Sequence, residues 1–329
     1  MSTHPNRREF LAIAGALTGA GLLSTTACTA KGSQSGGPPK AVTIKHAFGE
    51  TIVPTPPKRV VSAGYTEHDD LLAVGVVPIA VTNWFGDQAS AVWPWARGKL
   101  GSAEPVVLSL DNGIQVEQIA MLKPDLILAV NAGLDSDTYK KLSTIAPTIA
   151  QAGGDAFFEP WKEQATAVAR AVFQPDEMGK LVSDIDDKFA ETAKNNPQFK
   201  DKKVFLLAGN FFHDKLTAAR GWRTEFLTQM GFAVPDPSEF AVDDHQAAIP
   251  HDKLTDVLSE ADILIWTTEG DAEQAALLAD PLIAGLSATK NNRNVFTTKD
   301  LAGAIAFASP LSYPVVAEQL PPLLSRALG

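Results

Sequence analysis

The sequence predicts an α/β protein of two Rossmann-like lobes joined by a long rigid α-helix. In the first half of the chain, short apolar runs alternate with amphipathic helical patterns, which is typical of a parallel sheet with helices on its faces. The alternation resumes in the second half, where residues 261–266 follow a helical pattern much as residues 125–130 do in the first. Between the halves, an apolar stripe at helical spacing continues from 175 to 195, about 30 Å of helix.

The first lobe opens with a strand, a loop, a helix and a second strand in residues 60–86. The helical pattern at 69–74 ends at Gly75, and the run at 76–81 is almost uniformly apolar. Such a run is typical of a parallel strand covered on both faces. The remaining predicted elements are a helix at 114–122, a strand at 125–130, a helix at 139–145 and a strand at 148–150.

Aromatic side chains follow the first two predicted strands. Tyr65 and His68 lie in the turn after the first strand, and Trp84 and Phe85 closely follow the second. Because ligands of open α/β sheets bind beyond the carboxyl ends of the strands, we expect these residues at a recognition edge. The alternative is that Trp84 and Phe85 only cover the end of the sheet, which is a common use of large aromatic residues.

The second lobe is expected to repeat this plan. Its predicted elements are a strand at 203–209, a helix ending at 231, a helix from 250, strands at 261–266 and 294–298, a loop at 302–311 and a closing helix at 312–328. The closing helix is expected to return to the first lobe. Its internal prolines, Pro321 and Pro322, are expected to kink or break it.

The beginning of the chain predicts export and a membrane anchor. An arginine pair at 7–8 precedes a moderately apolar run at 12–23, shorter than the roughly 20 residues that span a bilayer. The pair resembles a twin-arginine export signal, and Cys28 lies where a lipoprotein cysteine would. We therefore expect a signal peptide at 1–27, a lipid-anchored linker at 28–40 and attachment to the extracytoplasmic face of the cell membrane. The alternative is an unmodified thiol in a cleaved peptide.

Composition disfavours several other classes of protein. The chain has 28 basic and 38 acidic residues, a net charge of −10, which disfavours a nucleic-acid partner. Cys28 is the only cysteine, so neither a disulfide nor a cysteine metal site is expected. We expect a monomer with two packed cores. Its predicted bounds are 41–157 for the N-terminal lobe, 158–197 for the interlobe helices, 198–311 for the C-terminal lobe and 312–329 for the C-terminal helix.

Two segments carry the most specific signal, RVVSAGYTEHDDLLAVGVVPIAVT at 59–82 and VEQIAMLKPDLIL at 116–128. With the lipoprotein signal and the long helix, they resemble the solute-binding proteins of iron-siderophore, haem and cobalamin ABC importers. The resemblance implies a ligand held in a shallow cleft between the lobes and an ABC permease as partner. It also implies that Glu117 and Asp252, one acid on each lobe, dock to permease arginines. The alternative for both is a solvated acid at a helix start.

Enzyme motifs are missing from the sequence, and we expect a binding protein without a cofactor. There is no G-x-S-x-G elbow and no P-loop, and the one G-x-G, at 19–21, lies in the signal. The resemblance implies a ferric siderophore as ligand and haem as the alternative, with Tyr65 or His68 as direct iron ligands in the haem case. Cobalamin is a less favoured alternative. A zinc or manganese ion is also less favoured, because no two histidines share a helix face and an aromatic cleft suits a larger complex.

Eleven residues are predicted to line the cleft: Tyr65, His68, Trp84, Phe85, Trp93, Asn131, Phe211, Arg220, Trp222, Arg223 and Trp266. Arg220 and Arg223, together with Arg97, could pair with siderophore carboxylates or haem propionates, because a guanidinium matches a carboxylate in two hydrogen bonds. Each could equally be an ordinary surface residue. The sequence leaves open which siderophore is bound.

Overall fold

The computed structural model describes residues 40–153 and 157–329. The predicted signal peptide, Cys28 and the linker up to residue 39 lie outside them. In the described part the strands are β1 (Val42–His46), β2 (Gly49–Val53), β3 (Val60–Ser62), β4 (Ala80–Thr82), β5 (Val106–Leu108), β6 (Leu126–Ala129), β7 (Thr148–Ala150), β8 (Val204–Phe212), β9 (Lys215–Ala219), β10 (Gln246–Pro250), β11 (Ile263–Thr267) and β12 (Asn294–Phe296). The α-helices are α1 (Glu67–Ala73), α2 (Pro94–Arg97), α3 (Val116–Met121), α4 (Ser136–Ser143), α5 (Trp161–Ala171), α6 (Pro175–Asn195), α7 (Glu225–Gln229), α8 (Leu254–Leu258), α9 (Asp271–Ala279), α10 (Pro281–Gly285), α11 (Ser287–Lys290), α12 (Lys299–Phe307) and α13 (Tyr313–Leu328).

The N-terminal lobe is built on a five-stranded sheet, ordered β5-β4-β3-β6-β7, in which every neighbouring pair is parallel. Its strands are short buried runs such as those around Val61 and Ile127, since apolar clusters cover both faces of the sheet. The predicted alternation of strands and helices is thereby confirmed. β4 begins only at Ala80, because Pro78 lacks the N–H that a central strand requires. The sequence did not predict the separate antiparallel hairpin of β1 and β2.

The C-terminal lobe also has five strands, ordered β10-β9-β8-β11-β12, but its sheet is mixed. β8, β11 and β12 are parallel, whereas β9 and β10 pair antiparallel beside β8. The expectation that this lobe repeats the first is therefore wrong for one side of the sheet. The chain turns back at His213 and Asp214, whose φ values of 47° and 60° suit a tight hairpin, so β9 pairs with β8 without a crossover helix.

The connection between the lobes consists of α5 and α6, close to the predicted bounds. α6 has 21 residues, and its buried side chains are Met178, Ile185 and Phe189. They belong to one core cluster that also contains Trp161 of α5 and Tyr313 of α13. The ring of Tyr313 lies 5.1 Å from that of Trp161 and 5.6 Å from that of Phe189. The long helix between two α/β lobes is thus confirmed, and it is packed against its neighbours along its length.

The predicted loop at 302–311 is wrong, because most of it belongs to α12. Thr298 caps this helix by accepting a hydrogen bond from the Leu301 N–H at 3.3 Å. Six of the nine residues of the helix are buried and only Asp300 is exposed, so the sequence has no polar face from which a helical period could be recognised. Gly303 is required inside it, because a Cβ at this position would lie 2.5 Å from the Trp93 ring.

The expected break in the closing helix is also wrong. α13 continues through Pro321 and Pro322, with Leu320 and Leu324 on either side fully buried. Tertiary packing of these residues stabilises the helix where the prolines remove backbone hydrogen bonds. The helix packs mainly against α6, α12 and the C-terminal sheet, and the core cluster that contains its Tyr313 also includes Ala73 of the first lobe. Among the described helices, none combines the length and the hydropathy that a bilayer span requires.

Candidate ligand-binding cleft

Five half-buried aromatic residues, whose rings contact one another, are here called the aromatic wall: Tyr65, Trp84, Phe85, Phe157 and Phe158. Of these, Phe85 lines the cavity described below. The Trp84 ring lies 5.4 Å from the Tyr65 ring and stacks on it. It lies 4.6 Å from the Phe85 ring and 5.1 Å from the Phe158 ring. Phe307 of α12 supports the wall from behind, with its centroid 5.4 Å from Trp84. The structure therefore brings together three predicted residues, and it adds three that the sequence did not reveal.

The strand ends position this wall. Tyr65 follows β3, and its N–H donates to the Asn131 carbonyl oxygen at 3.0 Å. A Cβ at residue 64 would lie 2.6 Å from the same oxygen, so only glycine allows the two loops to approach so closely. Trp84 follows β4, where the Asn83 N–H donates to the Leu108 carbonyl at 2.8 Å. The aromatic residues thus lie at the carboxyl edge of the parallel sheet, where ligands of such sheets bind.

The other side of the cleft comes from the C-terminal lobe and combines polar with aliphatic side chains. A cavity of about 250 Å³ separates Phe85 from this side. The polar side chains that line the cavity, here called the polar wall, are Thr217, Arg223, His245, Gln246, Thr267 and Glu269. Aliphatic side chains of β8 and α12, including Leu206 and Ile305, form its floor. The cavity therefore joins an apolar surface on one lobe to hydrogen-bonding groups on the other.

Arg223 is the most constrained residue of the polar wall. Its guanidinium carbon lies 4.8 Å from the Phe158 ring centre and 4.6 Å from the Trp222 ring centre. Nη1 donates to the Ala306 carbonyl oxygen at 3.1 Å. Burial lowers the pKa of Arg223 to about 10, so the side chain is still charged at neutral pH. The predicted residues Trp222 and Arg223 are thus brought together at the junction of the two walls.

Three predicted residues lie behind the aromatic wall and do not line the cavity. Trp93 is 1% exposed and stacks on Trp95 at 4.9 Å. Asn131 is 1% exposed, and its Oδ1 accepts the Phe158 N–H at 3.1 Å. His68 is 0% exposed within α1, and its ring meets that of Phe307 at 5.6 Å. These residues hold the wall in place, since their side chains are enclosed by other protein groups.

The remaining predicted contacts are more distant or already engaged. Trp266 lies within β11, is 0% exposed and donates from Nε1 to Asn294 Oδ1, so the expectation that it lines the cleft is corrected. Phe211 packs against a hydrophobic core cluster within the C-terminal lobe. Arg220 is fully engaged, because its Nε and Nη2 donate to Asp236 at 2.8 and 3.0 Å and its Nη1 donates to the Asp243 carbonyl. Arg97 donates to Gln88 Oε1 at 3.1 Å.

A buried acidic cluster on α1 was not foreseen. Glu67, Asp69 and Asp70 are at most 1% exposed, although acids at a helix start are ordinarily solvated. Asp69 Oδ2 accepts from Ser309 Oγ at 2.6 Å and from Trp95 Nε1 at 2.8 Å. Burial raises the pKa of Asp69 to about 6, against the lowering effect of those two hydrogen bonds. The cluster therefore ties α1 to the segment between α12 and α13.

The two predicted docking acids are exposed at comparable places in the two lobes. Glu117 lies in the first turn of α3, which leads into β6. Asp252 lies in a 3₁₀ turn, His251–Lys253, which continues through α8 into β11. β6 and β11 occupy the same position, fourth in strand order, in their sheets.

One group of side chains in the described part could hold a metal ion: Asp243, Asp244 and His245, whose donor atoms lie within 4.8 Å of one another. Asp243 Oδ1 already accepts the N–H groups of His245 and Gln246 at 2.9 and 2.7 Å. This carboxylate therefore stabilises the turn before β10.

The family model described as periplasmic binding protein matches residues 60–301, most of the chain. The chain belongs to the periplasmic binding protein family. A crystal structure of a periplasmic solute-binding protein from Mycobacterium smegmatis is similar to this binding protein, with 60% sequence identity, a TM-score of 0.84, and coverage of 88% of this chain and 99% of that one.

Two further comparisons concern iron chelates. This binding protein is 29% identical over 200 residues to the probable siderophore-binding lipoprotein YfiY of Bacillus subtilis, a match that covers 60% of this chain and 58% of YfiY. The matched segment thus spans less than two thirds of that relative. A crystal structure of Streptococcus pneumoniae PiaA in complex with ferrichrome is 26% identical, with a TM-score of 0.72 over 87% of this chain and 98% of that one.

Proposed function

We propose that this binding protein captures a ferric siderophore in its cleft and delivers it to an ABC permease for iron uptake. The observation that carries the proposal is one cavity that is lined both by Phe85, which belongs to the aromatic wall, and by the polar wall. A ferric siderophore combines a large, partly apolar body with oxygen atoms around the iron, so each wall meets a matching part of the ligand. The similarity to YfiY and to ferrichrome-bound PiaA supports the same class of ligand.

Haem is not favoured as the ligand. His68 is 0% exposed, so its imidazole has no access to an iron atom in the cleft. Burial, and secondarily the charge of Asp111, raise the pKa of the Tyr65 phenol. A raised pKa disfavours the phenolate form that binds ferric iron. The two proposed haem ligands are therefore one inaccessible group and one group held in its neutral form.

We propose Glu117 and Asp252 as the permease-docking acids. Their support is their exposure and their equivalent places before β6 and β11. Each acid also has a large exposed apolar side chain nearby. Met121, 74% exposed, lies one helical turn after Glu117, and Phe212, 69% exposed, pairs with Lys215 of β9, whose other neighbour is Pro250. Acidic groups flanked by apolar surface would suit a partner with arginines on an apolar face.

The proposal includes the place of the protein in the cell. We propose export by the twin-arginine signal, lipid attachment through Cys28 and function as a monomer at the extracytoplasmic face of the membrane. The support is the sequence itself, together with the description of YfiY as a lipoprotein.

Native mass spectrometry of the purified protein against a panel of ferric siderophores, haem, cobalamin and zinc would test the ligand class. The expected result is a one-to-one complex with at least one ferric siderophore. Binding should also quench tryptophan fluorescence saturably, since Trp84 and Trp222 lie at the two walls. Binding of haem or zinc with no ferric siderophore would refute the proposal.

A further inference from the structure

Arg223 has the surroundings of an anion-binding residue. Among the residues that line the cavity in the described structure, it is the only one with a permanent positive charge. In that described part no carboxylate oxygen lies within ion-pair distance of it, and the Ala306 carbonyl is its one hydrogen-bond acceptor. The indole Nε1 of neighbouring Trp222 is buried and also has no acceptor there. Arg223 therefore keeps unused donors at the cavity, and the unpaired indole N–H of Trp222 is buried next to it.

An incompletely paired guanidinium in this place costs free energy that a ligand can recover. Burial disfavours the charged form, and the rings of Phe158 and Trp222 offset only part of that cost through cation–π contacts. The same rings clamp the guanidinium plane, so its remaining N–H groups have a defined direction. A planar fork held in one orientation is suited to a carboxylate, which accepts two parallel hydrogen bonds.

Arg220, three residues earlier, shows the contrast. Its fork is already filled by both carboxylate oxygens of Asp236, so it offers no equivalent site. Asp243 and Asp244 attract Arg223 only from beyond ion-pair distance. Glu269 also lines the cavity, but it is exposed, and its charge is screened by solvent more strongly than that of the enclosed guanidinium.

We propose that Arg223 is the carboxylate-binding residue of the cleft, and that the natural ligand is a ferric chelate with at least one carboxylate group available to it. This inference rests on the proposed function and narrows it from ferric siderophores in general to the carboxylate class. The carboxylate would take the open edge of the Arg223 fork while the apolar body of the chelate packs on Trp84 and Phe85.

The test compares two ligands and four proteins by titration calorimetry. The ligands are ferric dicitrate, which carries carboxylates, and ferrichrome, a trihydroxamate chelate without any. The proteins are the wild type, Arg223→Gln, Arg223→Lys and the control Arg220→Gln. We expect wild type to prefer ferric dicitrate, Arg223→Gln to weaken that complex by about 10- to 150-fold, and Arg223→Lys to weaken it less, because lysine keeps the charge but not the fork. Arg220→Gln should change neither affinity by more than about threefold.

The outcomes separate the two levels of the proposal. Tight ferrichrome binding without ferric dicitrate binding would overturn the carboxylate assignment and leave the siderophore function intact. An equal loss of both ligands in Arg223→Gln would overturn it too, since a general packing role predicts that pattern. Failure of ferric dicitrate and ferrichrome alike to bind wild type would overturn the carboxylate assignment, whereas the proposed function itself fails only if no ferric siderophore of the wider panel binds. If Arg223→Gln does not fold, the wild-type preference between the two ligands still decides the question.

Discussion

The aromatic wall, through Phe85, and the polar wall contribute to the same cavity, but they are supported in different ways. Behind the aromatic wall lie fully buried groups such as Asn131 and Asp69, which hydrogen-bond to Phe158 and Ser309, although Asp69 Oδ1 and the ring nitrogens of His68 have no partner in the described structure. Half of the polar wall comes from strands of the mixed sheet. Arg223 has hydrogen-bond donors that lack acceptors in the described structure. The buried support of the aromatic wall is in place before a ligand arrives, whereas the unused donors of Arg223 can gain an acceptor from the ligand. The comparison indicates that the first wall supplies affinity and the second selects among ligands.

The largest expected effect concerns a feature that the two lobes share. The double variant Glu117→Lys with Asp252→Lys should abolish siderophore uptake in cells, because both charges would repel permease arginines. Ligand affinity and melting temperature should stay nearly unchanged, since exposed rim charges act on partner recognition more than on folding. The control is Glu104→Lys with Asp256→Lys, which reverses two other exposed acids, one in each lobe. If uptake fell equally in the control, or if ligand affinity fell with uptake, the docking assignment would be wrong.

The second prediction tests the support of the aromatic wall through pH. Burial lowers the pKa of His68 to about 4, below its ordinary value of 6.5, so the unfolded chain takes up the proton first as the pH falls. The free energy of unfolding should therefore decrease between pH 6.5 and 4 by about 2 to 3 kcal/mol on account of this residue. In His68→Leu that part of the pH dependence should be absent. The exposed His213→Leu is the matched control.

Ionisation of Asp69 changes the free energy of unfolding in the opposite direction over a similar pH range. Its pKa is raised to about 6, so the folded state holds the proton to higher pH, and its contribution to stability falls as the pH rises from about 4 to 6. The two residues therefore offset one another in the wild type. Urea unfolding at pH 4.5 and pH 7 would measure the difference. An unchanged slope in His68→Leu would contradict the buried, neutral state of this histidine.

The third prediction separates the roles of the two walls. Trp84→Ala should weaken every ferric chelate that binds by about 1 to 3 kcal/mol, because it removes the ring at the centre of the aromatic wall. Thr217→Val keeps the side-chain shape but removes a hydroxyl from the polar wall, and it should weaken only some chelates, by about 0.5 to 1.5 kcal/mol. Met121→Ala, outside the cleft, is the control. Ligand-dependent losses in Trp84→Ala and uniform losses in Thr217→Val would reverse the assignment.

The smallest expected effects compare two helical glycines. Gly303→Ala places a Cβ about 2.5 Å from Trp93 and should destabilise the protein by about 1 to 3 kcal/mol. Gly179→Ala, in α6, meets no atom within 4 Å and should stabilise it by about 0.5 to 1 kcal/mol. Thermal unfolding monitored by circular dichroism measures both. A Trp93→Leu change in the Gly303→Ala background should recover part of the loss, and a full loss in that double variant would show that the clash is not with this ring.

The sequence predicts those parts of the fold and the cleft in which local pattern and tertiary structure agree. The apolar runs of the first lobe and the stripe of α6 are such parts, and the strand-end rule alone brings Tyr65, Trp84 and Phe85 together. Phe307 is missed because α12 is buried all round and has no polar face. Asp69 and Asp70 are missed because a short acidic helix start looks the same whether solvent or protein surrounds it. The β8–β9 hairpin is missed because two residues with positive φ, neither of them glycine, decide its turn.

The core cluster around Tyr313 has a further consequence for how this chain could be divided. It contains Ala73 of the first lobe, Trp161 and Phe189 of the connecting helices, and Ile265 of the second lobe. Trp93 against Gly303 and Asp69 with Ser309 add contacts between early and late parts of the sequence. A fragment that ends after the first lobe would expose the apolar side of α1 and leave Asp69 without Ser309. The two lobes therefore form one cooperative unit of folding, and a domain boundary placed between them would cut through the core that they share.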